Sequence, residues 1–220
     1  MSESSSLPAS GLRPRPVVDL GPRAEVRVEK FLDAATEVFL EKGYRNARLS
    51  DVVARAGGSM ATLYRAFGDK EGLAHAIIER CLGELMDPLQ DLELSGRSPE
   101  QALHGIATRI AESLATPDSR VLHRIMIGEG QSFPELRDWF FNHSVDALRE
   151  KLAVYFEQET ASGRLCIDAP RAAANYFFMM LFGDWVIRIS SGNLHETDAD
   201  ALRAQAVQAT DLFLRGALPR

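Results

Sequence analysis

LSDVVARAGGSMATLYRAFGDKEGL, residues 49–73, decides the reading of the whole chain. Leu49, Val52, Val53 and Ala56 fall on one helical stripe, and the pair Gly57-Gly58 supplies the backbone freedom that a left-handed helix exit needs. Ser59 then has the chemistry of an N-cap, opening a second short helix whose Met60, Leu63 and Phe67 point inward at i, i+3 and i+7. Ala61, Thr62, Tyr64 and Arg65 are left on the outer face. Two short helices across a glycine-bearing turn, the second with a small and hydrogen-bonding outer face, are what a helix-turn-helix presents to a major groove.

Working outward, the first helix runs from Pro22 or Arg23 to about Lys42, with Val28, Phe31, Leu32, Ala35, Val38 and Phe39 on one face, and Gly43 stops it. Residues 1 to 22 hold four of the ten prolines and few large apolar groups, so they read as a disordered tail. Its arginines Arg13 and Arg15, with Arg23 just beyond, read as part of a solvated extension, with a minor-groove arm as the alternative. Asp69 caps a long helix that reaches Pro88 and links two parts of the chain. Leu94-Ser-Gly-Arg-Ser-Pro99 is a break, after which Pro99, Pro117, Pro134 and Pro170 each open a helix. The expected fold is all-α: a three-helix DNA-binding unit at 23–70 and a helical domain over 71–220.

AGG-S-MATLYRAFGDKEGL resembles the signature of the TetR family of bacterial transcriptional regulators, with an Ala-Gly pair, a Ser, a Thr-Leu-Tyr triplet, a Phe and a Lys-Glu pair at this spacing. Within the family, IGEGQSFPELRDWF and YFEQETASGRL resemble the AefR-like regulators. The resemblance implies a homodimer on a palindromic operator in double-stranded DNA, a C-terminal ligand-binding and dimerisation domain, and repression as the sign of regulation. It assigns Tyr64 and Lys70 to the phosphate backbone and Thr62 to the bases. Ser59, Ala61 and Arg65 share the exposed surface of Thr62; Arg65 could read guanine or hold a phosphate, and Arg48 would clamp the backbone. For Tyr64 the alternative is a partly buried ring sealing the motif. Gly58, Met60 and Ala61 stand where the family more often has Val, Lys and Gly, so one basic contact is missing.

Charge is distributed to match. The net charge is −6, yet residues 1–70 hold 11 basic and 9 acidic side chains, while residues 71–220 hold 14 and 22. DNA would attract the first part and repel the second. Two cysteines far apart, Cys81 and Cys166, indicate neither a disulfide framework nor a zinc site. The longest uncharged run, 172–183, is 12 residues, against the ~20 that a membrane span needs. With no secretory signal either, a cytoplasmic protein is expected.

Residues 171–190 are apolar around most of the circumference, so this helix is expected to be buried on two sides, against its own domain and against a second subunit. A last helix from about Thr197, with Ala201, Leu202, Ala206, Ala209 and Phe213, is expected to complete a four-helix dimer interface. A pocket for a small apolar or aromatic effector is expected among the helices from 99 to 190. Met126, Phe133, Trp139, Phe177, Phe178, Met179 and Trp185 would line it, with His123, Gln131, Asn175 and Asp184 as polar anchors. An effector-free docking module is the alternative. No cofactor or metal is expected, and no spacing of His, Glu and Asp carries an enzymatic mechanism, so catalysis is not expected.

Overall fold

The computed structural model describes residues 22–90, 97–193 and 199–219, and every secondary-structure element among them is helical. The expected disordered tail and the start of the last helix at Thr197 fall outside the described residues, apart from Pro22, as does the first half of the break at 94–99. Helix α1 spans Pro22–Asn46, α2 Leu49–Ala56, α3 Met60–Phe67 and α4 Lys70–Gln90. Then come α5 Pro99–Leu114, α6 Pro117–Gly128, α7 Pro134–Phe140, α8 Asp146–Ala161, α9 Pro170–Ser191 and α10 Ala199–Ala217.

The helix starts follow from local chemistry. Ser98 caps α5 in a reciprocal box with Gln101, Thr116 caps α6, and prolines occupy the first turns of α5, α6, α7 and α9, where no N–H is needed. Gly43 takes φ 75° and ψ 155°, a kink from which a short helical stretch continues to Asn46 rather than the clean stop expected. The helix expected from Pro134 to about Gly163 is interrupted by a π turn at Phe141–Val145. This wide turn keeps Phe140, Ser144 and Leu148, each four residues apart, on one face.

The chain folds around two apolar cores. One gathers α1 to α4 and is completed by Val121, Leu122, Ile125 and Met126 of α6 and by Leu136 and Phe140 of α7. The other gathers α5, α8, α9 and α10 around Phe156, Phe177 and Trp185. The division expected at residue 70 is therefore a division of the chain and not of its core.

Helix α6 is tied to the first core by polar bonds as well as packing. Asp118, in its first turn and 6% exposed, accepts from Thr36 Oγ1 of α1 at 2.7 Å and from Arg80 Nε of α4 at 2.7 Å. Arg80 also reaches Glu29 and Asp33 of α1, at 2.9 Å each. Burial opposes its charge, but these carboxylates outweigh that and hold the guanidinium well above its ordinary value. Further along α6, Arg124 donates to the Leu40 carbonyl of α1 at 3.1 Å, and Glu129 pairs with Arg45 at 2.7 Å.

Asp118→Asn turns an amide donor toward donors already present and leaves Arg80 without its nearest counter-charge. The expected cost is about 3 kcal/mol, which at this chain length is roughly 6–12 °C in Tm. Urea and thermal unfolding at fixed protein concentration measure it, and a shift below ~2 °C would mean that packing alone holds α6 in place.

Candidate nucleic-acid interface and ligand cavity

The helix-turn-helix forms as its residue types require. The α2–α3 turn runs through Gly57 at φ 70° and Gly58 at φ 121°, a left-handed path that a side chain would strain. Ser59 Oγ accepts from the Thr62 backbone N–H at 3.2 Å and lies 2.9 Å from Thr62 Oγ1, so the two hydroxyls are engaged with the cap and each other. Leu63, Ala66 and Phe67 are buried and Met60 partly so, while Ala61, Tyr64 and Arg65 stand outward. Tyr64 is 51% exposed, so about half of the side chain is open to a partner. Arg48 is exposed at the N-cap of α2, where its backbone N–H donates to Asp51 at 3.2 Å.

Much of the positive charge near this surface is internally neutralised. Arg55 pairs with Glu41 at 2.7 Å, Lys42 with Asp51 at 2.9 Å, and Arg45 with Glu129. Lys70, expected on the phosphate backbone, is turned inward. Its ammonium donates to the carbonyls of Tyr44, Arg45 and Ala47 at 2.8, 3.2 and 3.1 Å and lies 4.6 Å from the Tyr44 ring centre. These carbonyls lie at the end of α1, where a helix leaves its last carbonyls without partners, and an ammonium with three donors satisfies them. Burial lowers the Lys70 pKa. Arg48 and Arg65 are the long cations that face outward from the two motif helices.

A cavity of about 320 Å³ lies between α4, α5, α6, α8, α9 and the π turn. Of the residues expected to bind a ligand, it brings together His123, Met126, Phe178 and Met179. The other seven lie elsewhere. Phe133 packs edge-on against Tyr44 in the first core, and Trp139 stacks on His143 and contacts His75. Gln131 and Asn175 are exposed, and Trp185 is buried in the second core. Phe177 joins that core, and Asp184 points outward to Arg188. These residues were chosen by type, whereas the cavity is set by which helix faces converge.

Sequence reasoning missed Cys81 and Leu82 of α4, Phe140 and Phe141 at the π turn, and Arg149 of α8. His123 lines the cavity in one tautomer. Its Nδ1–H donates to the Ser119 carbonyl at 2.7 Å, since a carbonyl can only accept, and burial holds the ring below the ordinary imidazole value, hence neutral. The arrangement can take up an apolar molecule and offers no catalytic constellation. Among the described residues no group of three or more His, Cys, Asp or Glu is placed to hold a metal, and no helix is long and apolar enough to cross a membrane.

A family model described as AefR-like transcriptional repressor, C-terminal domain, matches residues 101–216, and one for bacterial regulatory proteins of the tetR family matches 31–77. The chain belongs to the TetR family. This TetR-family protein is thus a transcriptional regulator with a helix-turn-helix domain, not an enzyme. It is similar to the helix-turn-helix-type transcriptional regulator YvkB of Bacillus subtilis, 24% identical over 168 residues, which are 75% of this chain and 84% of that one. It is also similar to YvdT of the same organism, 41% identical over 64 residues; that match spans 29% of this chain and only a third (33%) of YvdT. Among solved structures, a flavonoid-responsive regulator, FrrA, is 27% identical, with 89% of this chain and 99% of that one covered and a TM-score of 0.58.

Replacing Arg48 by Ala should weaken DNA binding and flatten the dependence of log K on log salt by about one unit per half-site, whereas replacing Arg65 should cost about 1–3 kcal/mol and relax sequence preference. Lys70→Ala should leave that slope nearly unchanged and instead lower stability by about 1–3 kcal/mol, because three carbonyls lose their donor. Fluorescence anisotropy at several salt concentrations, paired with urea unfolding, separates the two roles. A full unit of slope lost in Lys70→Ala would return this side chain to the DNA backbone.

Proposed function

We propose that this regulator is a cytoplasmic, ligand-responsive repressor that binds a palindromic operator as a homodimer and releases it when a small apolar or aromatic molecule enters the cavity. One observation carries this reading: α4 and α6, which wall the cavity, also pack on α1 of the DNA-binding unit. The cavity volume falls within the range of small-molecule sites, and its lining is dominated by Leu, Ile, Met and Phe. Its family relation to AefR-like repressors supports repression, and the likeness to a regulator named for its response to flavonoids supports an aromatic effector. On this reading Arg48, Ser59, Ala61, Thr62, Tyr64 and Arg65 form the DNA surface, with Tyr64 and Arg48 on phosphates and Arg65 as a base reader. Ser59 acts through its cap, and Lys70 positions α4 against the kink of α1.

A coupling path runs through α6 beside the linking helix α4. Helix α6 supplies Ser119, Leu122, His123, Met126 and Ile127 to the cavity and reaches α1 through Asp118, Arg124 and Glu129. A ligand that repositions α6 thereby moves α1, and through it the recognition helix. A shift in population of 1–3 kcal/mol changes operator affinity by ~5–150-fold.

Dimerisation is supported by apolar side chains in water on α9 and α10: Tyr176 is 65%, Ile187 67% and Leu212 64% exposed. The small residues Ala206 and Ala209, expected in the interface, are instead buried in the subunit's own core. Ile187→Glu combined with Leu212→Glu should therefore yield folded monomers in sedimentation with operator binding weakened at least ~100-fold, because the two half-sites are no longer linked. Retention of the dimer would place the interface elsewhere. Thermal-shift screening of hydrophobic compounds followed by anisotropy on DNA selected in vitro tests the effector; binders that leave DNA affinity unchanged would remove regulation from the cavity.

A further inference from the structure

The cavity is apolar with one exception. Among its described lining residues Arg149 alone is charged at neutral pH: none of them is Asp, Glu or Lys, and buried His123 is neutral. Arg149 is held in place without being satisfied. Its guanidinium carbon lies 4.6 Å over the Phe178 ring centre, and one terminal nitrogen is 4.0 Å from the Met179 sulfur. Its Nε is buried and has no hydrogen-bond partner. The nearest carboxylate, Asp146, is 3.7 Å away, three residues earlier on the same helix and 59% exposed. So loose and wet a pair contributes little. A donor withdrawn from water with nothing to accept from it is unfavourable, and the planar guanidinium matches a carboxylate.

We propose that the cavity binds an anionic amphiphile, a molecule of roughly ten carbons at ~30 Å³ per water-sized group, whose apolar body lies among Phe140, Phe141, Phe178 and Phe182 and whose single carboxylate pairs with Arg149. This rests on the ligand-responsive reading above and narrows it from apolar compounds in general to those carrying one negative charge. The location of Arg149 suits the task. With its side chain 33% exposed beside the half-exposed Met179, it holds the carboxylate near water while the chain is buried, and the charge never crosses the apolar interior.

The probes are decanoate, 1-decanol and decyltrimethylammonium, each titrated below its micelle concentration into the full-length protein by calorimetry and, in parallel, into its complex with DNA selected in vitro. Decanoate should bind about 10–100-fold more tightly than decanol, as a charge-assisted hydrogen bond implies, and should release DNA at correspondingly lower concentration. Arg149→Gln should bring decanoate to the affinity of decanol and leave decanol within about twofold of its wild-type value, which also certifies that the variant is folded with its cavity intact. If wild-type protein binds decanol or the cationic probe as tightly as decanoate and releases DNA, the carboxylate assignment is overturned while the ligand-responsive reading stands. If none of the three binds a folded protein, both are overturned.

Discussion

Asp118 is a carboxylate taken almost wholly out of water at the start of α6, and three helices are positioned by the way it is satisfied. A lone buried charge would cost several kcal/mol. Here it receives a hydroxyl from α1 and two guanidinium N–H groups from α4. Because the amides of the first helical turn also favour an anion, the site is self-consistent only with α6 seated on α1 and α4. Such an arrangement is poor at sliding gradually, since hydrogen bonds at 2.7 Å are lost over a fraction of an ångström. It therefore suits a helix that must occupy one of two discrete positions.

That seating explains why the cavity and the DNA-binding unit are not separate modules. Met126 and Phe140 contribute to the first core and also face the cavity, and Leu82 does the same from α4. Packing at interior density transmits displacement rather than absorbing it. Leu82, Met126 and Phe140 belong to the same buried core as Leu63 and Phe67, the residues that seat α3. The cavity and the DNA-binding unit thus share structure.

The DNA-binding half was legible in the sequence because each feature rests on local chemistry. A glycine pair, a serine cap and stripes at i, i+3 and i+7 act within a few residues, and Ser59, Leu63 and Phe67 stand where that chemistry places them. The same holds for the helices opened by Pro99, Pro117, Pro134 and Pro170. The inward hydrogen bonds of Lys70 were not legible because its environment is non-local: the carbonyls that capture it belong to the end of α1, far earlier in the chain. The cavity residues were half legible for a related reason. Trp139 and Phe133 have the right chemistry, but the π turn at Phe141–Val145, which no composition announces, turns their helix so that Phe140 and Phe141 face the cavity. Arg149 was passed over because a charged residue on an amphipathic helix normally belongs to its solvated face.

The segregation of charge along the chain bears on how quickly the protein finds its site. Beyond ~8 Å at physiological salt, charges are screened, so only the last approach to DNA is oriented: the end bearing Arg48 and Arg65 is drawn in and the acidic helical domain is turned away. Lys42, Arg45 and Arg55 are held by neighbouring carboxylates, so these three have less to give to phosphates without regard to sequence. Grip on random DNA sets the residence time at each wrong site, because it comes almost entirely from released counterions. The more of its cations a DNA-binding protein holds on its own carboxylates, the more it searches by repeated short encounters in solution and the less by sliding along the duplex.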